Sequence, residues 1–570
     1  MTENRFLVGS ILALYVLLGY SRFHYSSEVY FPLFSAALGQ NSFEDDIFIR
    51  DHLFFHTARV FFTGLRLLGE ALPGVPTVGV MFLLFLLTNI LCIYSAFVLG
   101  KHFGTRTYAL FLCVILFSPF EYLRGADVSI IYNHPFSATA VAFPFAIYSL
   151  VSFFRARYLW SILTVLFAGA LNLKLGFAVG LPIAGVMVFL FFRESGKRRD
   201  LLRAGMIGLP FFIGFAWFVA TGRSDIFDCP ELLDMMIERE GNESDVLLNI
   251  GWIQGGRTYY YFLLNAIAFY FCLKNKEEEV WRVTFHLLVV SNAFLLCGAV
   301  VSLLSTNAGV GQQLLMLPWP KLAVVPTLLS LIVVCKMIID SPTLRRSAGD
   351  RLGFTLLFGG IFLALLNVDL IGDKHFGLRI VLVVLVLVVA GVYCSGHLCG
   401  KRNLSFGSTT IVIFFLASTQ VAIATFNVRN IWNEGRSRGW DSTLIRAPGS
   451  FDSGEWAAAN WLNAKALVPG LVVYPTLRTD PIQFNSWRRY STVSMYVTGS
   501  VVDYYGSCEL KAEAERRRAV VTNWHATGDL DRMRYEGVKW IILDRIDLPH
   551  ARKKSLKLVY ENQRFVILQL

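Results

Sequence analysis

The stretch TVGVMFLLFLLTNILCIYSAFVL, residues 77–99, decides the fold because it carries no charged side chain over the length of a bilayer. Crossing the hydrocarbon core takes about 20 apolar residues, and a helix pairs all of its backbone amides internally. Comparable runs lie near 6–20, 107–120, 136–154, 158–172, 175–192, 202–220, 257–273, 282–304, 321–339, 352–369, 378–394 and 409–425. The sequence therefore predicts an α-helical polytopic membrane protein with about 13 transmembrane helices.

The composition of the whole chain favours the same class. Of the 570 residues, 55% are hydrophobic and only 16% are charged, whereas a soluble protein is about a quarter charged. The formal net charge is +11, but the basic residues form short clusters between apolar runs rather than one continuous basic face. That spacing is typical of membrane topology, so we expect the chain to contact the lipid bilayer and no nucleic acid.

The charges of the loops assign each connection to a side of the membrane. If the N-terminus is cytoplasmic, every second connection is cytoplasmic, and each of these carries Lys or Arg, as the positive-inside rule requires. These connections read KHFGTR (101–106), RAR (155–157), RESGKRRDLLR (193–203), KNKEEEVWR (274–282), SPTLRRSAGDR (341–351) and GKR (400–402). The opposite connections are mostly longer and are acidic or mixed. An odd number of spans then places residues 426–570 outside, and we expect the membrane to be a bacterial inner membrane.

We predict two domains: a transmembrane domain over 1–425, with a long first outer loop at 21–76, and a small extracytoplasmic α/β domain over 426–570. The pattern in the tail predicts helices and strands in alternation, which favours a layered α/β fold. The expected helices are GEWAAANWLNAKA (454–466) and KAEAERRRAVVTNW (511–524), and the expected strands are LVVYP (471–475), VKWIILDR (538–545) and a terminal hairpin within 556–570.

The first outer loop is the best candidate for chemistry. Its acidic residues are Glu28, Glu44, Asp45, Asp46 and Asp51, and they lie near two predicted amphipathic helices, around 29–39 and 51–72. Helices of this kind lie in the membrane interface. Carboxylates beside apolar surface have raised pKa values and can act as general bases. The alternative is that these acids form a solvated outer loop.

Basic residues at the outer ends of predicted spans are the second candidates. Lys174, Lys321 and Arg379 lie at such ends, and Arg257 has the same placement with a weaker case. Ionisable groups at membrane depth are expensive and usually functional or paired. Such cations can neutralise a phosphate, or they can extend their side chains to the interface without any functional role.

A metal site has weaker support. His52 and His56 are four residues apart and would share one helix face, a spacing that can bind a metal. Histidines on an interfacial helix are more common, so we predict no cofactor and leave a divalent metal as an alternative. Cys229 and Cys508 both fall outside in this topology, where a disulfide is permitted, and we predict that they pair. The alternative is two unrelated buried thiols.

The architecture resembles that of the C-type (GT-C) membrane glycosyltransferases. The shared features are a retained first span, a long acidic first outer loop, about 13 spans and an extracytoplasmic α/β tail. Locally the chain is similar to an uncharacterised bacterial multi-span group within that class, in SSEVYFPLFSAALGQNSFEDDIF (26–48), RTDPIQFNSWRRYSTVSM (478–495), YEGVKWIILDR (535–545) and VYENQRFVILQL (559–570). The chain departs from the pattern at LNLKLG (171–176), where a His-Pro pair is expected.

The resemblance implies an enzyme that takes a sugar from a polyprenyl-phosphate donor, with Asp46 or Asp45 activating the acceptor and Glu28 positioning it. Lys174, Lys321 and Arg379 would stabilise the developing phosphate charge. Arg488, in SWRRY, would close the site from the tail or would simply be solvated. The acceptor would be a glycan, a lipid or a protein of the cell envelope.

Other functions remain open. A lipid-linked saccharide transporter or flippase would need polar residues through the middle of several spans, and this sequence has few of them. A polysaccharide polymerase and a non-catalytic envelope assembly protein would share the same architecture.

Overall fold

Helices dominate the structure, a computed structural model that describes residues 33–38, 46, 49, 58–71, 77–105, 108–109, 112–113, 137–221, 255–308, 319–340, 453–465, 471–473, 493–494, 496, 508–545 and 556–570. The helices are α1 (Arg59–Ala71), α2 (Thr77–Phe103), α3 (Ala138–Phe154), α4 (Tyr158–Leu171), α5 (Leu173–Arg193), α6 (Arg198–Thr221), α7 (Gly255–Lys274), α8 (Glu279–Ala308), α9 (Val324–Asp340), α10 (Ser453–Lys465), α11 (Cys508–Thr527) and α12 (Asp531–Tyr535). The strands are β1 (Leu471–Val473), β2 (Val538–Asp544), β3 (Lys557–Glu561) and β4 (Phe565–Gln569).

The helices α2 to α9 coincide with eight of the predicted apolar runs, which confirms those runs as helices. The runs near 6–20, 107–120, 352–369, 378–394 and 409–425 lie wholly or largely outside the described residues. By length and composition, three of the described helices could cross a membrane: α2 from Gly79 onward, α5, and the first part of α8. The total of 13 spans stays a prediction.

The centre of the bundle is α5, which packs against α3, α4, α6, α8 and α9. Its approach to α4 depends on two glycines, because a Cβ added to Gly176 would lie 2.3 Å from the Cα of Gly169. Small residues of this kind let membrane helices come close and gain packing energy. The backbones of α4 and α5 therefore meet directly just after the turn at Asn172.

The two ends of the bundle differ in chemistry. At the end that we call the capped end, Ser137 and Asn172 cap the first turns of α3 and α5. At the opposite end, which we call the basic end, α2, α3 and α5 finish while α4 and α8 begin. Aromatic contacts hold the basic end together, since the ring of Phe103 lies 4.9 Å from that of Phe154 and 5.4 Å from that of Trp281.

The described residues of the tail form a four-stranded mixed sheet in the order β1-β2-β4-β3. β1 runs parallel to β2, while β2–β4 and β3–β4 are antiparallel pairs. α10 packs on one face of the sheet, and α11 and α12 pack on the other. These helices and strands confirm the predicted elements of the tail, including the terminal hairpin. The domain boundary at residue 426 lies outside the described residues and stays a prediction.

Candidate active site

Three acids were predicted to be catalytic, and the structure describes one of them, Asp46. The side chain of Asp46 is fully buried. Its backbone carbonyl accepts a hydrogen bond from the Ile49 amide at 3.0 Å, which forms a helical turn. A buried carboxylate is costly unless its surroundings compensate the charge. The burial of Asp46 argues against the alternative of a solvated acidic loop at this position.

An aromatic cluster attaches the first outer loop to the bundle. The ring of Phe34 lies 5.7 Å from that of Phe61 and 6.0 Å from that of Phe62. All three rings belong to the same hydrophobic core as the membrane helices, and so does Ile49, three residues after Asp46. The acid therefore lies in a segment that packs on the bundle.

The amphipathic helix predicted around 51–72 is confirmed over its described part by α1. Phe61, Phe62 and Leu65 are buried, while Arg66 and Glu70 are exposed and form an ion pair at 3.1 Å. Residues 33–38 of the other predicted amphipathic segment pack tightly on α1, since a Cβ on Gly69 would lie 2.9 Å from the Leu38 backbone. α1 in turn packs against α4.

The structure brings two of the predicted phosphate-binding cations to the same end of the bundle. Lys174 lies in the first turn of α5, and Lys321 lies in the short 3-10 helix Trp319–Ala323 before α9. Four residues after Lys174, Ala178 packs in one cluster with Leu322 and Ala323. Both half-buried lysines therefore belong to the capped end. That this end faces outward stays a prediction.

Other predicted site residues receive no side-chain description. Arg257 lies in the first turn of α7, and only its backbone is described. The residues outside the described part are Glu28, Asp45, His52, His56, Arg379 and Arg488. Cys229 also lies outside it, and only the backbone of Cys508 is described, so the disulfide stays a prediction. Among the described residues, no group of three His, Cys, Asp or Glu side chains is placed to hold a metal ion.

A polar link at the capped end escaped the sequence analysis. Asn172 Oδ1 accepts a hydrogen bond from the Leu175 amide at 3.0 Å, and Asn172 Nδ2 donates one to Thr139 Oγ1 at 2.7 Å. The side chain thus caps α5 and ties it to α3, which fixes the turn of helix that carries Lys174. The asparagine between two apolar runs was a usable signal for the cap, but the contact with Thr139 depends on the fold.

A second group missed from sequence lies at the basic end. The Lys197 ammonium donates to Glu279 at 2.6 Å and to Glu194 at 2.8 Å. Burial disfavours the charge of Lys197, but its hydrogen bonds to the two carboxylates outweigh that effect and raise its pKa. This network joins the connection after α5 to the start of α8.

A third polar group stabilises the tail. Glu536 accepts hydrogen bonds from the Tyr496 hydroxyl and from Arg516, and Arg516 also donates to Glu513 at 2.6 Å. Hydrogen bonds from Arg516, and then from Arg517, lower the pKa of Glu513 to about 2. The network joins α11 to the turn that precedes β2.

The fold of the helical bundle and the sheet-forming tail is similar to that of ArnT, a GT-C membrane glycosyltransferase. Two of the similar solved structures are of ArnT from Cupriavidus metallidurans. In the apo state, ArnT matches the chain with a TM-score of 0.50 and 14% identity, over 99% of this chain and 97% of ArnT. ArnT bound to undecaprenyl phosphate gives 0.49 and 15% over the same shares. No protein-family model and no curated protein sequence matches the chain.

Proposed function

We propose that the chain is a membrane glycosyltransferase that uses a polyprenyl-phosphate-linked sugar on the extracytoplasmic side, in the synthesis or modification of a cell-envelope glycan. The fold supports a membrane enzyme of this class, and undecaprenyl phosphate is a ligand of ArnT. The observation that carries the proposal is the full burial of Asp46 in a loop segment packed on the membrane helices.

The proposed reaction moves the sugar from phosphate to an acceptor hydroxyl. The acceptor oxygen attacks the anomeric carbon, and its proton passes to the Asp46 carboxylate. The bond between that carbon and the phosphate oxygen breaks, and polyprenyl phosphate leaves. This general-base role requires the carboxylate to lie within hydrogen-bond reach of the acceptor hydroxyl. Asp45 is the alternative base, and Glu28 is proposed to position the acceptor.

The leaving phosphate is proposed to meet the cations of the capped end. Lys174 and Lys321 share that end, and fixed cations in a low-dielectric site stabilise a developing phosphate charge strongly. Arg379 and Arg257 are proposed to act beside them, and Arg488 is proposed to close the site from the tail. The proposed reaction requires no cofactor, with a divalent metal at His52 and His56 as the alternative.

The test measures the release of polyprenyl phosphate from a panel of polyprenyl-phosphate sugars by purified protein in lipid nanodiscs, with envelope extracts as acceptors. Asp46→Asn should abolish release without lowering expression or thermal stability. Glu70→Gln is the matched control, because Glu70 is an exposed acid of the same loop. The Glu70→Gln variant should keep wild-type activity.

Each outcome decides the role of Asp46. Equal activity of Asp46→Asn and wild type would refute the assignment, and loss in both acid variants would indicate damage to the loop rather than loss of a base. An absence of release by wild-type protein on every donor would refute the proposed function.

A lipid-linked saccharide carrier is the second candidate, because polar side chains are buried in the middle of described helices. Asn292 Nδ2 on α8 donates to Asn265 Oδ1 on α7 at 3.1 Å, and Ser330 on α9 is fully buried. A carrier would move the labelled donor between leaflets without releasing polyprenyl phosphate. Asn292→Leu should then stop movement of the donor, whereas in a transferase it should not stop sugar transfer.

A further inference from the structure

A cavity of about 200 Å³ lies at the basic end, opposite the capped end where we place the active site. Its walls come from α2, α3, α4, α5 and α8. The side chains that matter for binding are His102, Phe153, Phe154, Tyr158 and Glu279. The lining thus combines aromatic and aliphatic side chains with one carboxylate.

An ion pair holds the carboxylate of Glu279 in place, and the carboxylate keeps hydrogen-bond acceptor positions for a ligand. Its Oε1 accepts a hydrogen bond from the Lys197 ammonium at 2.6 Å. An ionised carboxylate has two oxygens and about four acceptor positions. Lys197 itself is fixed by a second ion pair to Glu194 at 2.8 Å. The anchored carboxylate can therefore accept a further donor from the cavity.

The backbone at the cavity wall also favours a cation. α3 ends beside the cavity, and the amides of Arg155 and Ala156 bond back to carbonyls of its last turn. Ala156, which lines the cavity, has a φ of 53°, a left-handed conformation that L residues adopt rarely. The carbonyl end of a helix carries partial negative charge. Phe153 and Phe154 also line the cavity, and aromatic rings attract cations.

The size and place of the cavity restrict the ligand. A volume of about 200 Å³ equals that of about seven water molecules, which suits a small polar head group better than a whole sugar–lipid. The cavity lies among the last and first turns of apolar helices, where lipid head groups lie. Arg155, exposed in the turn after α3, carries a positive charge that can meet a phosphate.

We propose that this cavity binds the head group of phosphatidylethanolamine from the leaflet at the basic end. The primary ammonium donates to Glu279 and faces the rings of Phe153 and Phe154, while the lipid phosphate faces Arg155. The head group of phosphatidylglycerol has hydroxyl donors but no ammonium, so its hydrogen bond to Glu279 would not be reinforced by an opposite charge. A phosphatidylcholine head group keeps the charge but has no N–H to donate.

Native mass spectrometry of the delipidated full chain, titrated with each of these three lipids, tests the proposal. Phosphatidylethanolamine should bind with the highest affinity. Glu279→Gln should weaken that binding about tenfold, because a hydrogen bond to a charged group is lost. The matched control is Glu277→Gln, an exposed acid of the same connection that does not line the cavity. It should bind phosphatidylethanolamine like the wild type.

A further variant separates binding from structure. Lys197→Gln breaks the same ion pair as Glu279→Gln but leaves the carboxylate free, so binding of phosphatidylethanolamine should persist or strengthen. Equal weakening by Lys197→Gln and Glu279→Gln would overturn the proposal, because it would mean that the ion pair only supports the fold. Equal affinity for the three lipids, or a preference for phosphatidylglycerol, would overturn it as well.

Discussion

Replacing Asn172 with alanine tests how the capped end is built. The change removes the N-cap of α5 and the hydrogen bond to Thr139 on α3, and it leaves the Thr139 hydroxyl without that donor. The side chain is 9% exposed, so water cannot easily take its place.

The two lost interactions set the expected magnitude. An N-cap contributes about 1 kcal/mol, and a hydrogen bond between buried side chains contributes about 1 kcal/mol. The free energy of unfolding should therefore fall by about 2 kcal/mol, which is about a 30-fold change in the unfolding equilibrium. The destabilised turn is the one that carries Lys174, so donor binding should weaken too.

The assay is reversible unfolding of the purified protein in mixed micelles with increasing denaturing detergent. Two further variants separate the contribution of the N-cap from that of the hydrogen bond to Thr139. Asn172→Ser keeps a good N-cap but loses the contact with Thr139, and Thr139→Val loses that contact alone. Each should cost about half as much as Asn172→Ala. A change below about 0.5 kcal/mol for Asn172→Ala would refute this account of the capped end.

The remaining predictions concern packing and pH. Gly176→Leu should prevent α4 and α5 from meeting, because even a Cβ would lie 2.3 Å from the Cα of Gly169. Gly205→Leu is the control and should be tolerated, because Gly205 has open space around it. The yield of monodisperse protein after detergent extraction measures the difference, and equal yields of the two variants would contradict the prediction. Hydrogen bonds from Arg516 lower the pKa of Glu513 to about 2, so this carboxylate stabilises the fold above its unfolded pKa of about 4.3 and ceases to do so as pH falls towards 2. Thermal unfolding should find Glu513→Gln less stable than wild type at pH 7, with the gap closing as pH falls from about 4.3 to 2; a gap independent of pH would show that the charge of Glu513 does not matter.

Local sequence patterns predict the helices and the tail strands well because each depends on neighbours along the chain. The apolar runs of α2 and α5 and the strand at 538–545 are patterns of this kind, and the structure has them within a few residues of the predicted bounds. The N-cap at Asn172 was missed, although its signal is of the same local kind, since Asn172 and Lys174 separate two apolar runs.

Contacts between distant segments could not be predicted in the same way. Thr139 and Asn172 are 33 residues apart, and Lys197 and Glu279 are 82 residues apart. A sequence shows which residues can form such bonds but not which pairs the packing selects. Lys174 and Lys321 were predicted within a larger set of outer cations. Only the hydrophobic cluster that contains Ala178, Leu322 and Ala323 shows that both lysines belong to one end.

A density map of the full chain in nanodiscs with undecaprenyl phosphate tests the central claim most directly. We predict that the lipid phosphate binds at the capped end, in contact with Lys174 or Lys321 and facing the loop that holds Asp46. Phosphate density at the basic end beside Lys197, or at the capped end but shielded from Asp46 by the helices, would contradict the proposed site.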